Sequence, residues 1–174
     1  MINAAFLFFI SLSCFIFPIT EIKGYKNHYY QIDSDQQQLC EFSKKFSKNW
    51  CVDVQKNPIG LYAGFNQLIV YSKNSLLGFD AIRRQAKWSI DMKNVFKIHI
   101  NYPVIVIYYQ DKRLVGYDYF SGFQLWEKQN INYDNMFETQ ADLWLINQSK
   151  LDKLDVVSGD VIFSLVLKNK PTKM

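Results

Sequence analysis

Residues able to do chemistry are sparse in this chain, and their spacing decides what they can do. Three aspartates, Asp80, Asp118 and Asp155, stand 38 and 37 residues apart. Three carboxylates gathered at one point could bind calcium or divide acid and base roles in a hydrolysis. A fixed interval argues otherwise. It places each aspartate at the same position of its own structural repeat, where the side chain caps a turn by accepting backbone amides. His28 and His99 lack the short-range His or Cys partners of a zinc site. His99 lies in the apolar run 95–100, a setting that suits a hydrogen-bonded structural histidine. No glycine-rich phosphate loop and no serine or cysteine nucleophile context is legible. With no catalytic set, metal site or cofactor site to assemble, the expectation is a protein that binds rather than catalyses.

The elements that position the aspartates form a repeat. Trp50, Trp88, Trp126 and Phe163 are separated by 38, 38 and 37 residues. Phe79, Tyr117 and Leu154 each lie 9 residues before the last three anchors, whereas Phe42 lies 8 before Trp50, a turn shortened by one. Gly122 and Gly159 share one register after their aspartates, where the second copy has Arg84. Each unit reads as a hairpin: a strand ending at Asp, a turn closed by Gly at positive φ, and a returning strand with an aromatic anchor. Arg84 therefore predicts a turn that is strained or differently shaped. Apolar strands precede each hairpin at 29–32, 68–71, 104–109 and 143–146, and others lie upstream at 60–65, 95–100 and 136–140. Four short strands per unit predict an all-β fold, a β-propeller of about four four-stranded blades. The blades fall near 25–56, 57–93, 94–130 and 131–168, with a tail at 169–174. Both faces of each blade should be apolar, because each packs between neighbours.

Composition agrees with a packed β domain. Hydrophobic residues make up 49% and aromatic residues 17% of the chain, which excludes a disordered one. The net charge of +4 comes from 20 basic and 16 acidic residues spread along the length. Nucleic-acid binding would gather the basic residues on one face, so no nucleic-acid partner is expected. Lys44, Lys45 and Lys48 form the densest cluster and belong to a solvated hairpin turn. Cys40 and Cys51 are symmetric about that same turn. They read either as a cross-strand disulfide, which an exported location permits, or as two buried thiols. Residues 4–19 are almost wholly apolar, so 1–20 is a signal peptide or membrane anchor through which the chain could associate with a membrane. Cleavage ranks first, lipidation of Cys14 second and a retained anchor third. Ser11-Leu12-Ser13-Cys14 is similar to a bacterial lipoprotein box, with its Leu one place too close to the Cys.

The aspartate–glycine–tryptophan text resembles the PQQ-like propeller repeat. Asp118, Ser121, Gly122 and Trp126 match it, and so do Asp155, Ser158 and Gly159 with Phe163 replacing Trp. Asp80 and Trp88 match in a copy without the Gly, and the first copy keeps Trp50. The resemblance covers about 25–168 and implies that the tryptophans are docking residues between blades. It also implies kinship with periplasmic quinone-dependent dehydrogenases, with exported scaffolds such as the lipoprotein of the outer-membrane barrel-assembly machinery, and with sensor or adhesion modules. Such rings usually have seven or eight blades; this chain has four at most, with the innermost strand of the first in question. The expected function is an exported, non-enzymatic scaffold, periplasmic or envelope-associated, working in envelope or outer-membrane assembly. It would bind a protein partner or associate with itself to complete the propeller. The alternative is a fragment or subunit of a periplasmic PQQ-dependent dehydrogenase whose missing half supplies the ligands.

Overall fold

The computed structural model describes residues 19–167 apart from 26, 34, 55, 56, 140 and 141. Cys14, most of the apolar leader and the tail 169–174 lie outside the described residues. Among the described residues sixteen strands form four sheets, each an antiparallel meander of four consecutive strands. The first blade holds β1 (Ile19–Tyr25), β2 (His28–Asp33), β3 (Gln38–Phe42) and β4 (Lys48–Asp53). The second holds β5 (Pro58–Gly64), β6 (Gln67–Ser72), β7 (Ser75–Asp80) and β8 (Gln85–Asp91). The third holds β9 (Val95–Asn101), β10 (Val104–Tyr109), β11 (Leu114–Asp118) and β12 (Gln124–Lys128). The fourth holds β13 (Asn135–Glu138), β14 (Leu143–Ile146), β15 (Lys150–Leu154) and β16 (Val161–Val166). The first blade thus has its innermost strand: β1 starts at Ile19, just inside the apolar leader, and pairs with β2 from Tyr25↔His28 outward.

Burial separates the middle blades from the end ones. In β10, reading Val-Ile-Val-Ile-Tyr-Tyr, all six residues are buried, as β-branched and aromatic side chains are when both faces of a sheet are covered. In β14 buried and half-buried residues alternate, the pattern of a sheet covered on one face. The expectation that every blade is apolar on both faces therefore holds for the second and third blades only. It also fails at the periphery: all six residues of β16 are exposed, and in β8 only Ile90 is buried. Blades radiate from a centre, so the gap between them widens outward and the last strand is least covered.

Three apolar clusters hold the arc together, one per seam. Ile32 and Leu39 of the first blade pack with Leu61, Leu68 and Phe79 of the second. Ile69 and Leu76 pack with Ile105, Ile107 and Val115 across the next seam. Val106 and Leu114 pack with Met136, Leu143 and Leu145 across the last. Each fully buried aliphatic side chain contributes about 1.5–3 kcal/mol. Among the described residues no such cluster joins the first blade to the fourth.

Candidate functional site

The four repeat anchors occupy one position of the blade. Trp50, Trp88, Trp126 and Phe163 sit in the outermost strands, opposite Glu41, Gly78, Gly116 and Lys153, each one step from a β-bulge. The aspartates are not brought together. Asp80 Oδ1 accepts from the amides of Ile82 (2.9 Å) and Arg83 (2.8 Å). Asp118 Oδ1 accepts from the amides of Phe120 (3.1 Å) and Ser121 (2.7 Å), and Asp155 Oδ1 from those of Val157 (2.8 Å) and Ser158 (3.1 Å). In the first blade Ser43 Oγ takes this place, accepting from the amides of Lys45 (3.2 Å) and Ser47 (3.3 Å). The residue four before each anchor is left-handed: Phe46 at φ 56, Arg84 at 58, Gly122 at 69 and Gly159 at 75. Arg84 strains the turn without reshaping it. Its amide reaches the Asp80 carbonyl at 2.8 Å, as Gly122 reaches Asp118 at 2.9 Å and Gly159 reaches Asp155 at 2.8 Å.

The glycines have a second duty. A Cβ on Gly78 would lie 2.1 Å from the Trp88 ring, and one on Gly122 would lie 2.6 Å from the same ring. Trp126 is flanked alike, 2.2 Å from a Cβ on Gly116 and 2.5 Å from one on Gly159. Each indole therefore lies between a glycine of its own sheet and one of the following blade. Each also donates Nε1–H to the following turn, Trp88 to the Phe120 carbonyl at 2.8 Å and Trp126 to the Val156 carbonyl at 2.9 Å. At the first seam both glycines are replaced by charged residues. Trp50 faces Glu41 across the sheet and has the Arg84 guanidinium 5.8 Å over its ring, while its buried Nε1 has no partner among the described residues. Glu41 accepts from Asn49 Nδ2 at 2.7 Å and pairs with His28 Nδ1 at 3.1 Å. Burial, and then the neighbouring Glu41, push the Tyr30 hydroxyl up to about 12. A cavity of about 350 Å³ opens there, lined by His28, Tyr30, Glu41 and Arg84.

Elsewhere, polar groups serve the frame. Cys40 and Cys51, cross-strand partners in β3 and β4, are joined by a disulfide. His99 is buried against Glu138; burial lowers its pKa and the carboxylate opposes that. Asp152 is fully buried and takes hydrogen bonds from Tyr133, Ser164 and Lys150. Burial works against its charge, but these donors outweigh burial and hold its carboxyl below the usual range. Among the described residues no three His, Cys, Asp or Glu side chains are grouped to hold a metal ion.

The surface most apt for a ligand is one that the repeat alone did not reveal. In a four-stranded meander the first and third turns share one rim. There Phe65, between β5 and β6, meets Tyr102, between β9 and β10, with ring centroids 4.3 Å apart. Tyr102 meets Phe120, between β11 and β12, at 5.7 Å. All three rings are exposed, Phe65 by 50%. Beneath them Tyr119 is fully buried and donates its hydroxyl proton to the Gly64 carbonyl at 3.0 Å, tying the two blades at the rim. Lys87 Nζ lies 5.7 Å over the Phe120 ring. Ile82 and Phe123, in the outer turns of the same rim, are exposed by 71% and 75%. Phe65 and Asn66 are both left-handed, at φ 50 and 61. A tight hairpin of this kind favours Asn-Gly, and a bulky residue there costs about 1–2 kcal/mol. The signal in the sequence was an aromatic residue at each turn where a small or polar one is usual.

No family model matches the chain and no curated protein matches it in sequence. Its fold has clear relatives. It is similar to BamB from Moraxella catarrhalis, with a TM-score of 0.58 and 13% identity over 86% of this chain and 50% of that one. It is similar to the computationally designed Ika8 protein, at 0.61 and 10% over 86% and 49%. It also resembles the N-terminal domain of Nup159, at 0.61 and 14% over 84% and 43%. At such identities the likeness shows the fold, a β-propeller arrangement of four-stranded blades. The chain spans about half the length of the structures it matches.

Proposed function

We propose that this chain is an exported, non-enzymatic propeller module that binds a protein partner through its aromatic rim. The observation that carries the reading is the Phe65–Tyr102–Phe120 cluster: three exposed rings from two blades, one held in a left-handed conformation that costs stability. Strain kept at an exposed aromatic turn is the mark of a surface retained for contact rather than for folding. Aromatic side chains rimmed by a cation also have the composition of protein-interface hot spots. A propeller of similar fold serving a protein partner supports the reading, since Dbp5 of Saccharomyces cerevisiae is seen bound to Nup159. Export rests on the apolar leader at 1–20, and a place in envelope assembly rests on the resemblance of the repeat.

Photo-crosslinking in the native cell tests the reading, with the reactive group placed at Phe65, Tyr102 or, as a control on the opposite rim, Lys112. One protein should be captured from the first two sites and not from the third. Phe65→Glu with Tyr102→Glu should weaken capture at least tenfold. Equal capture at all three sites would defeat the proposal. Quinone- and calcium-dependent oxidation of alcohols or sugars by the purified protein would replace it with the dehydrogenase alternative.

A further inference from the structure

The arc ends on two faces of different kinds, and the repeat says what meets there. In each of the first three blades one cross-sheet row faces the next blade. In the third it is His99, Val106, Gly116 and Trp126, and in the second Tyr62, Ile69, Gly78 and Trp88. The same row of the fourth blade is Phe137, Trp144, Lys153 and Phe163, and no blade follows it among the described residues. Phe137 stacks on Trp144 with centroids 6.4 Å apart, and Phe163 meets Trp144 edge-on at 6.1 Å. Lys153 is paired with Asp142 at 2.7 Å, so the row presents aromatic surface with its one charge already matched.

The first blade carries the matching half. At each internal seam the residue four before a blade's own anchor lies against the anchor of the preceding blade: Arg84 over Trp50, Gly122 against Trp88, Gly159 against Trp126. Among the described residues, the one left without such a neighbour is Phe46, and the anchor left without one is Phe163. They are 69% and 49% exposed. Phe46 is left-handed at φ 56 and stacks on Tyr29 at 5.4 Å, on the outward face that also carries Phe42 and the Cys40–Cys51 disulfide. A bulky side chain is disfavoured in that conformation. The turn therefore bears strain to present an aromatic ring at the place where a blade receives its neighbour.

The geometry points to a second copy of this chain as the occupant: two arcs close head to tail, with Phe46 of each lying over Phe163 of the other. The arc superposes on about half of BamB and of Ika8, at 50% and 49% of their lengths, so it has the curvature of a ring about twice its size. A second copy supplies four further blades, and a two-fold axis along the ring makes both junctions identical. Phe46 lies in an outer turn of that rim, but in a different blade from the Phe65–Tyr102–Phe120 cluster, so either contact can fail without the other.

The test is the mass of the full chain by light scattering after gel filtration, in a mild detergent, from 1 to 100 µM. A dimer is expected. Phe46→Glu and Phe163→Glu should each shift it at least tenfold toward monomer with unchanged far-ultraviolet circular dichroism. Combining F46K with F163E in one chain should restore the dimer, because each junction then pairs opposite charges. In a Cys14→Ser background, oxidative crosslinking should join F46C chains to F163C chains in a mixture and join neither variant to itself. A monomer at 100 µM, a dimer indifferent to both glutamate variants, or self-crosslinking of F163C would overturn the inference. Phe65→Glu should leave the dimer intact, which separates this result from the rim's.

Discussion

The first seam and the two that follow it solve the same packing problem in different ways. At the later seams an indole lies between two glycines and donates to a carbonyl of the following blade. At the first, glutamate and arginine stand where those glycines were, and the indole nitrogen is buried without a partner among the described residues. A glycine lets a flat ring pack against backbone, which gives shape complementarity and a satisfied donor together. The two charged residues there keep a cation over the indole in place of the hydrogen bond, and both line a cavity of about 350 Å³. The later seams thus have the lower tolerance for change and the first seam the most room to improve.

The largest expected break in that contrast is Trp126→Ala. Trp126 is half-buried, so its truncation falls at the lower end of the range for large aromatics, about 3 kcal/mol, and urea denaturation should show much of the stability lost. Trp50→Ala should cost less, since the Trp50 indole has no hydrogen-bond partner among the described residues. Next comes Gly122→Ala, at about 2–4 kcal/mol by the same measurement. The new methyl meets the Trp88 ring at 2.6 Å while the backbone stays at φ 69.

Acid distinguishes the third seam. The Asp152 carboxyl is held below its ordinary value of 3.8, so the unfolded chain takes up the proton first. Its contribution is complete above that value and is lost as pH falls through the lowered folded one. Asp152→Asn should flatten the acid limb of a stability–pH curve and lower stability at pH 7 by about 1.5–3 kcal/mol, the range for a hydrogen bond to a charged group.

Phenylalanine at the anchors sharpens the comparison with a smaller change. Trp126→Phe deletes the bond to the Val156 carbonyl and should cost about 1 kcal/mol beyond the packing loss, whereas Trp50→Phe removes an unsatisfied donor and should cost less. Smallest is Arg84→Gly, which relieves a left-handed side chain at the first seam. It should raise stability by about 0.5–1 kcal/mol, less whatever the contact with Trp50 contributes. A loss instead would mean that the cation over the indole outweighs the backbone strain.

The repeat was legible because its anchors do the same job at one spacing. An indole that must dock on the next blade, and an aspartate that must cap the same turn, leave few substitutes at those positions. Gly122 showed only half its reason in the sequence: positive φ was readable, the ring lying against it was not. Strand β1 was hidden because Glu21, Lys23 and Gly24 interrupt its text, and its pairing with β2 comes from the meander and not from apolarity. The rim was invisible for another cause. Phe65, Tyr102 and Phe120 lie far apart in the chain and meet only once two blades are side by side. The outer strands deceived in the opposite sense, since Val161–Val166 reads as core and lies in the open.

The hydrogen bonds that cross the seams also set an order of events during synthesis. Trp88 and Trp126 donate to carbonyls 32 and 30 residues further on. At translation rates of about 5–20 residues per second, each indole waits about 2–6 seconds after it emerges before its acceptor exists. Growth of the arc is therefore directional: the second and third blades each show the solvent an indole until the next blade arrives.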